Sequence, residues 1–374
     1  MEVLQYQPLS QFLAKVPDPR RPGMCDHNLL DILIIAVCAV ICGADEWQDI
    51  EDFGHCKENW FKTFLELPAG IPSKYTFRRV FCLLDPVAFE TCFTSWIKQT
   101  LTEISGSQHL AIDGKAIKGS RTKGKKPVLL VSAWSVKLGL VLGQERVDQK
   151  SNEITAIPKL LKALELKGCL VTLDAMGCQK KVAKQCIEQG ADYILAVKGN
   201  QKKLYKGIEA LFTTAEHQRE RHDYMQSRDK GHGRIETRCC WVISDLANLE
   251  TAEEWPGLKQ VAVVQSDRQI NGKVTTALRF YIMSRSMTAK EMLEISRNHW
   301  SVENNLHWVL DVAFSEDACQ IKTGNGAENF SILRRIALNA IKANKGKRSI
   351  KSHRKLAGWN HKHLKTLLCS VVLD

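Results

Sequence analysis

Apolar and polar positions divide the chain into stretches of different period. Over residues 9–104 the apolar residues recur at helical spacing. The run 32–44 is apolar throughout and is bounded by Asp31 and Asp45. It is too short to span a bilayer and no basic segment precedes it, so a buried core helix is expected rather than a membrane anchor or secretory signal. Asn28 is its expected N-cap and Gly43 its stop. A second helix is expected over 45–64, a third opens after Ser73, and a fourth starts at Asp85-Pro86. Short helices joined by tight turns admit a helix-turn-helix, with Arg78 and Arg79 on the recognition helix, or a plain packing bundle. Residues 1–105 are therefore read as an all-α N-terminal domain.

From residue 108 the period changes to that of strands. Strands are expected at 109–117, 128–136 and 138–147, then a helix from Ser151 or Asn152 to 166. A strand at 169–174, a helix at 179–189 stopped by Gly190, and a strand at 193–198 follow. Three meandering strands, helix, strand, helix, strand is the order of an RNase H-like domain. In that fold the first and fourth strands lie side by side and parallel, joined through a crossover helix. A helix at 201–217 leads into a polar stretch and strands at 235–243, 260–266 and 275–283, with Asn271-Gly272 as a hairpin turn. Residues 218–286 are read as a β-rich insertion, in which Lys230, His232 and Arg234 touch phosphate or form a solvated turn. One long helix is expected over 288–312 and a packing helix over 327–343, closing a catalytic domain at 106–344.

Charge changes this picture. The net charge is +12 and the pI about 9.1, which suggests a polyanionic partner. Residues 1–105 nevertheless carry nine Lys/Arg against fourteen Asp/Glu. The excess lies in the six cations from Lys115 to Lys126 and in the basic tail 345–374. Thirteen cysteines with no C-x-x-C pair argue against zinc and against a disulfide framework.

The candidate chemistry is acidic. Asp113 ends the apolar run in LAIDGKAIKGS, where it is either a hairpin-turn residue or a carboxylate that needs a cation. Asp174 ends VTLD, either as a cap for Ala175-Met176-Gly177 or as a second such acid. If the two strands are neighbours, the acids lie about 5 Å apart and raise each other's pKa. A divalent ion relieves that repulsion, and carboxylate oxygens suit Mg²⁺ or Mn²⁺. On the helix at 288–312, His299, Glu303 and His307 share one face beside Trp300. Asp311, two turns on, is a rival for the third acid.

AIDGK, SNEITAIPKLL, TLDAMGCQ, AVKGNQ and HWSVENNLHWVLDVAFSED resemble the DDE transposases of bacterial insertion sequences, closest to the H-repeat-associated proteins found beside Rhs elements. DILIIAVCAVICGADEWQDIEDFG resembles that family's N-terminal associated domain. The resemblance implies an α/β, RNase H-like (retroviral integrase superfamily) catalytic domain with a β-rich insertion, preceded by an all-α N-terminal domain. It implies Asp113, Asp174 and Glu303 as catalytic acids holding two Mg²⁺ or Mn²⁺ ions, with cleavage and strand transfer on double-stranded DNA. A homodimer or higher oligomer, in the cytoplasm at the nucleoid and away from membranes, is expected. Ser296, His299 and Leu310 stand where many relatives have Tyr, Arg and Lys, so His299, His307 or Arg297 are the expected phosphate contacts. Lys115, Lys118 and Arg121, with Lys198 and Asn200 of AVKGNQ, are the other expected backbone contacts, and the tail is expected to order on DNA. A nuclease that cuts without joining, and a relic that only binds DNA, remain open.

Overall fold

The computed structural model describes residues 9–101, 108–216, 223–231, 233–344, 346 and 348–369. Among the described residues five helices precede the first strand: α1 (Leu9–Leu13), α2 (Leu29–Cys42), α3 (Trp47–Phe61), α4 (Lys74–Leu83) and α5 (Pro86–Leu101). Helix α2 is buried from Asp31 to Ile41, because a helix apolar on every side must be covered on every side. Asn28 does not cap it; its amide donates to Glu66 Oε2 at 2.6 Å. Asp31 instead accepts the Leu67 amide at 3.0 Å, and burial pushes its carboxyl up.

All the described strands form a single nine-stranded mixed sheet. Strands β1 (His109–Ile117), β2 (Val128–Ser135) and β3 (Leu140–Arg146) meander. β4 (Leu170–Leu173) lies parallel to β1, as expected, and β5 (Asp192–Val197) lies parallel to β4. Helices α6 (Glu153–Ala163) and α7 (Lys180–Glu188) make the crossovers, and α8 (Lys202–Glu216) follows β5. The remaining strands are β6 (Asp223–Gly231), β7 (Arg234–Ile243), β8 (Gln260–Ile270) and β9 (Lys273–Met283). The sheet order is β3-β2-β1-β4-β5-β9-β8-β7-β6. The stretch expected as an insertion is thus continuous with the central sheet, since β9 pairs antiparallel with β5 from Ile194↔Met283 to Val197↔Phe280. Asn271 and Gly272 turn the β8–β9 hairpin with φ of 49° and 79°, the left-handed backbone such a turn needs. β6 was not expected, because its exposed residues show no apolar alternation; its pairing with β7 makes it a strand. Lys230 and Arg234 sit at that hairpin's tip, and His232 lies outside the described residues.

The helix expected over 288–312 is broken. It divides into α9 (Ala289–His299), a π-helical turn at Glu303–His307, and α10 (Trp308–Phe314), which ends at a left-handed Ser315. Helix α11 (Gly326–Ala343) is buried from Gly326 through Ile341 apart from a partly covered Glu328, and α2, α4 and α5 pack on it. Its Asn339 pairs with both the N–H and the C=O of Val141, which occupies part of the open edge of β3. The tail corrects another expectation. Its described residues form α12 (Ile350–Trp359) and α13 (His361–Cys369), and Ala357, Leu364, Leu367 and Leu368 are buried. Arg354 is buried with them and donates to the Val40 carbonyl at 2.9 Å, so that cation is structural. Among the described residues no single helix is long and apolar enough to cross a membrane.

Candidate active site

The register of β1 and β4 decides where the first two acids go. Ile112 pairs with Leu173, so Asp113 and Asp174 are the next residues on adjacent parallel strands. Equal register positions point to one face. Two residues earlier on that face, Thr172 Oγ1 joins His109 Nε2 at 2.9 Å and His299 Nδ1 at 2.8 Å, which brings the end of α9 over the strands. The π turn then presents Glu303 and His307. His307 Nδ1 is 3.5 Å from Asp113 Oδ2.

Burial pushes the Asp113 carboxyl up to about 7, assisted by the negative charges of Asp174, Glu153 and Glu303. Asp174 and Glu303, the other acids expected from sequence, thus lie near enough to act on Asp113, and so does Glu153. Glu153 is not among the acids expected from sequence. Its carboxylate lies against Gly114, where a Cβ would overlap it. Burial and Asp174 push its own carboxyl up. Its signal in the sequence was its place straight after the cap Asn152, whose side chain accepts the Ile154 amide. Gly114→Ala is expected to cost about 1–3 kcal/mol by overpacking. Adding Glu153→Ala should recover most of that loss in urea unfolding; additive losses would mean the two positions do not touch.

Asp174 carries two roles at once. Its Oδ1 accepts the Met176 and Gly177 amides at 3.0 and 3.3 Å, capping the following turn. Asn200 Nδ2 donates to the Ala175 carbonyl at 2.8 Å and ties the same turn to the end of β5, while Lys198 is exposed. Burial lowers His109, His299 and His307 to about 4. In this structure the neutral imidazoles of His299 and His307 are engaged by Thr172 and Asp113. Arg297 pairs with Asp229 at 3.0 Å.

Lys115 also departs from expectation. It is buried, with Nζ 2.7 Å from Asp311, 3.0 Å from Asp317 and 3.4 Å from Glu316. Burial would raise the Glu316 carboxyl, but Arg335, Lys115 and Arg334 hold it at about 2. Lys115 is thus a structural cation in this fold. Asp311, the rival acid, is committed to Lys115 and is not among the charges acting on Asp113. Lys118 is exposed but bonded to Asp317 at 2.7 Å; Arg121 and Arg79 are exposed, and Arg78 donates to Thr323 Oγ1 at 3.4 Å.

Among the described residues, no three His, Cys, Asp or Glu side chains close on one point as metal ligands do. The donor chemistry still fits a hard divalent cation: carboxylate oxygens, one of them buried among like charges, with the Gly114 amide and a neutral imidazole beside it.

A family model described as the transposase DDE domain matches residues 104–340, and one described as DDE_Tnp_1-associated matches residues 10–97. The chain belongs to the DDE transposase family. This transposase is 43% identical to "Putative transposase YncI" of Escherichia coli O157:H7, over 98% of this chain and 96% of the relative. It is 40% identical to "H repeat-associated putative transposase YhhI" of Escherichia coli strain K12, over 90% and 91%. A piggyBac transposase synaptic complex with hairpin DNA, solved by cryo-EM, aligns with 98% of this transposase and 78% of that chain, at a TM-score of 0.43 and 11% identity.

Proposed function

We propose that this transposase cuts DNA at the ends of its insertion sequence and joins the freed 3′ ends to target DNA. Asp113, Asp174 and Glu303 are its catalytic acids, on an RNase H-like domain. One observation carries this reading: Asp113 and Asp174 stand at one register on adjacent parallel strands, with Glu303 acting on Asp113 from the facing π turn.

Two Mg²⁺ or Mn²⁺ ions, when bound, supply stabilisation of the attacking and leaving oxygens of an in-line displacement. Asp113, acted on by both other acids, would hold both ions, and Asp174 and Glu303 one each. The cap from Asp174 to Met176 and Gly177 fixes that carboxylate's orientation. The His109–Thr172–His299 chain fixes the strand two residues before it against α9. Water serves as nucleophile in cutting and the 3′-OH in joining, so no side chain need form a covalent intermediate.

The test is incubation with Mn²⁺, duplex DNA carrying the element ends, and a target plasmid. Nicks at the ends followed by joined products are expected. Cutting without joining would make the protein a nuclease, and binding without cutting a relic; either result defeats the proposal. Helix α4 is proposed to read the element end. Arg79→Ala is then expected to reduce the preference for end over random duplex by about tenfold, the value of one base contact. Equal weakening on both duplexes, in competition binding, would remove α4 from recognition.

A further inference from the structure

After α10 the chain runs through residues 315–325 as a loop pinned at both ends. At the near end Asp317 accepts from Lys118, through Nζ at 2.7 Å and the backbone amide at 3.2 Å, and also holds Lys115. Gly119 packs so closely there that a Cβ would lie 2.8 Å from the Asp317 carbonyl. At the far end Cys82 Sγ donates to the Thr323 carbonyl at 3.1 Å, the Asn325 amide donates to the Cys82 carbonyl at 3.1 Å, and Arg78 reaches Thr323. The loop is therefore a fixed bridge between the end of β1 and helix α4.

Two open cavities flank this bridge. One, of 610 Å³, is lined by Lys118, Arg121, Lys123 and Lys322; the other, of 680 Å³, by Lys74, Tyr75, Arg78 and Lys322. Gln320 and Lys322 line both, so the two adjoin across the bridge and together form a shallow basic groove. Six cations face it, and Glu46 is the one acid among its lining residues. Lys74 is braced by Gln48 Oε1 at 2.7 Å. The groove also starts beside the acid site, since Lys118 and Lys115 share Asp317, and Lys115 follows Asp113 by two residues on β1. Five backbone steps of extended chain run from Asp113 to Lys118, about 16 Å. That is the axial rise of roughly four to five base pairs.

We infer that this groove, from Lys118 and Arg121 across Lys322 to Arg78, seats the phosphate backbone of the duplex that leads into the acid site. The inference rests on the cutting-and-joining reading. It joins α4 and the acid site along one DNA path, with Lys322 at its centre.

The test is a charge reversal of exposed groove residues in the full chain, Arg121→Glu with Lys123→Glu and Lys322→Glu. Binding to a labelled duplex is followed over a salt series. Affinity is expected to fall at least about 30-fold at 0.1 M salt, and the slope of log affinity against log salt to lose about 2–3 units. Melting temperature should be unchanged, and cleavage at saturating DNA should keep its kcat while KM rises. A control reverses three exposed lysines elsewhere, Lys167→Glu, Lys181→Glu and Lys259→Glu, and should leave the slope intact. Equal effects from both sets, or none from the groove set, overturn the groove. A wild-type protein that binds no duplex at any salt overturns the cutting-and-joining reading as well.

Discussion

Replacing Asp113 by Asn is expected to lower strand cleavage about 10³-fold or more while duplex binding stays equal or becomes tighter. The loss follows from removing a carboxylate donor to ions that stabilise the transition state by several kcal/mol, at 1.36 kcal/mol per tenfold. The retained binding follows because a negative charge near phosphate has gone. The same substitution has a second signature, visible without DNA. Burial and three neighbouring acids raise Asp113 from 3.8 to about 7. Between those values the folded state binds more protons than the unfolded chain, so this group's contribution to stability falls as pH rises and is fully unfavourable above about 7. Asp113→Asn should therefore stabilise the metal-free protein at pH 8, by at most about 4 kcal/mol. The two melting curves should converge near pH 4. Mn²⁺ should raise the melting temperature of the wild type at pH 8 and of the variant much less. A variant that melts like wild type at every pH would mean that Asp113 is not strained by its neighbours. Cleavage that survives the substitution would remove Asp113 from the chemistry.

The second large effect belongs to Lys115. Lys115→Met is expected to cost about 3–5 kcal/mol of stability, the value for stripping the partner from a buried ion cluster. Glu316 is wholly buried and keeps Arg335 at 3.0 Å, but Asp311 and Asp317 lose their shared cation. In the wild type, Glu316 is held at about 2, so its favourable contribution is complete above about 4.5 and is lost as pH falls through 2. Urea unfolding at pH 7 checks the size of the loss. Lys115→Arg, which keeps the charge, should recover part of it. A loss below about 1 kcal/mol would mean the cluster is no more than a surface ion pair. Because the Lys115–Asp311 pair ties the strand of Asp113 to the helix after Glu303, cleavage should fall with stability.

Much of the architecture was legible in local patterns. The all-apolar run of α2, the strand end at Asp174, the parallel β1–β4 pair and the Asn271-Gly272 turn follow from side-chain period and turn chemistry, which act over a few residues; Asp113 instead lies mid-strand, where the ladder with β4 stops but β1 stays paired with β2 as far as Ile117. The misses have a common cause. β6 is exposed and polar, so only its pairing with β7 makes it a strand. The break at Glu303–His307 leaves the helical spacing of the sequence almost unchanged, so no periodicity shows it. The tail looked like a basic arm because its charges are frequent, yet its spaced leucines find a surface on a helix some 300 residues away.

The sequence by itself determined which residues could carry the chemistry, since two acids each following an apolar run is a property of short stretches. Only the tertiary structure decided which of the charges are free to act. Lys115 and Asp317 are 202 positions apart, and no local pattern assigns one to the other. Yet a buried lysine must find carboxylates, because its desolvation is otherwise too costly. That pairing turned Lys115 and Asp311 from candidates for DNA and metal into structure, and the close approach at Gly114 brought Glu153 to the acids.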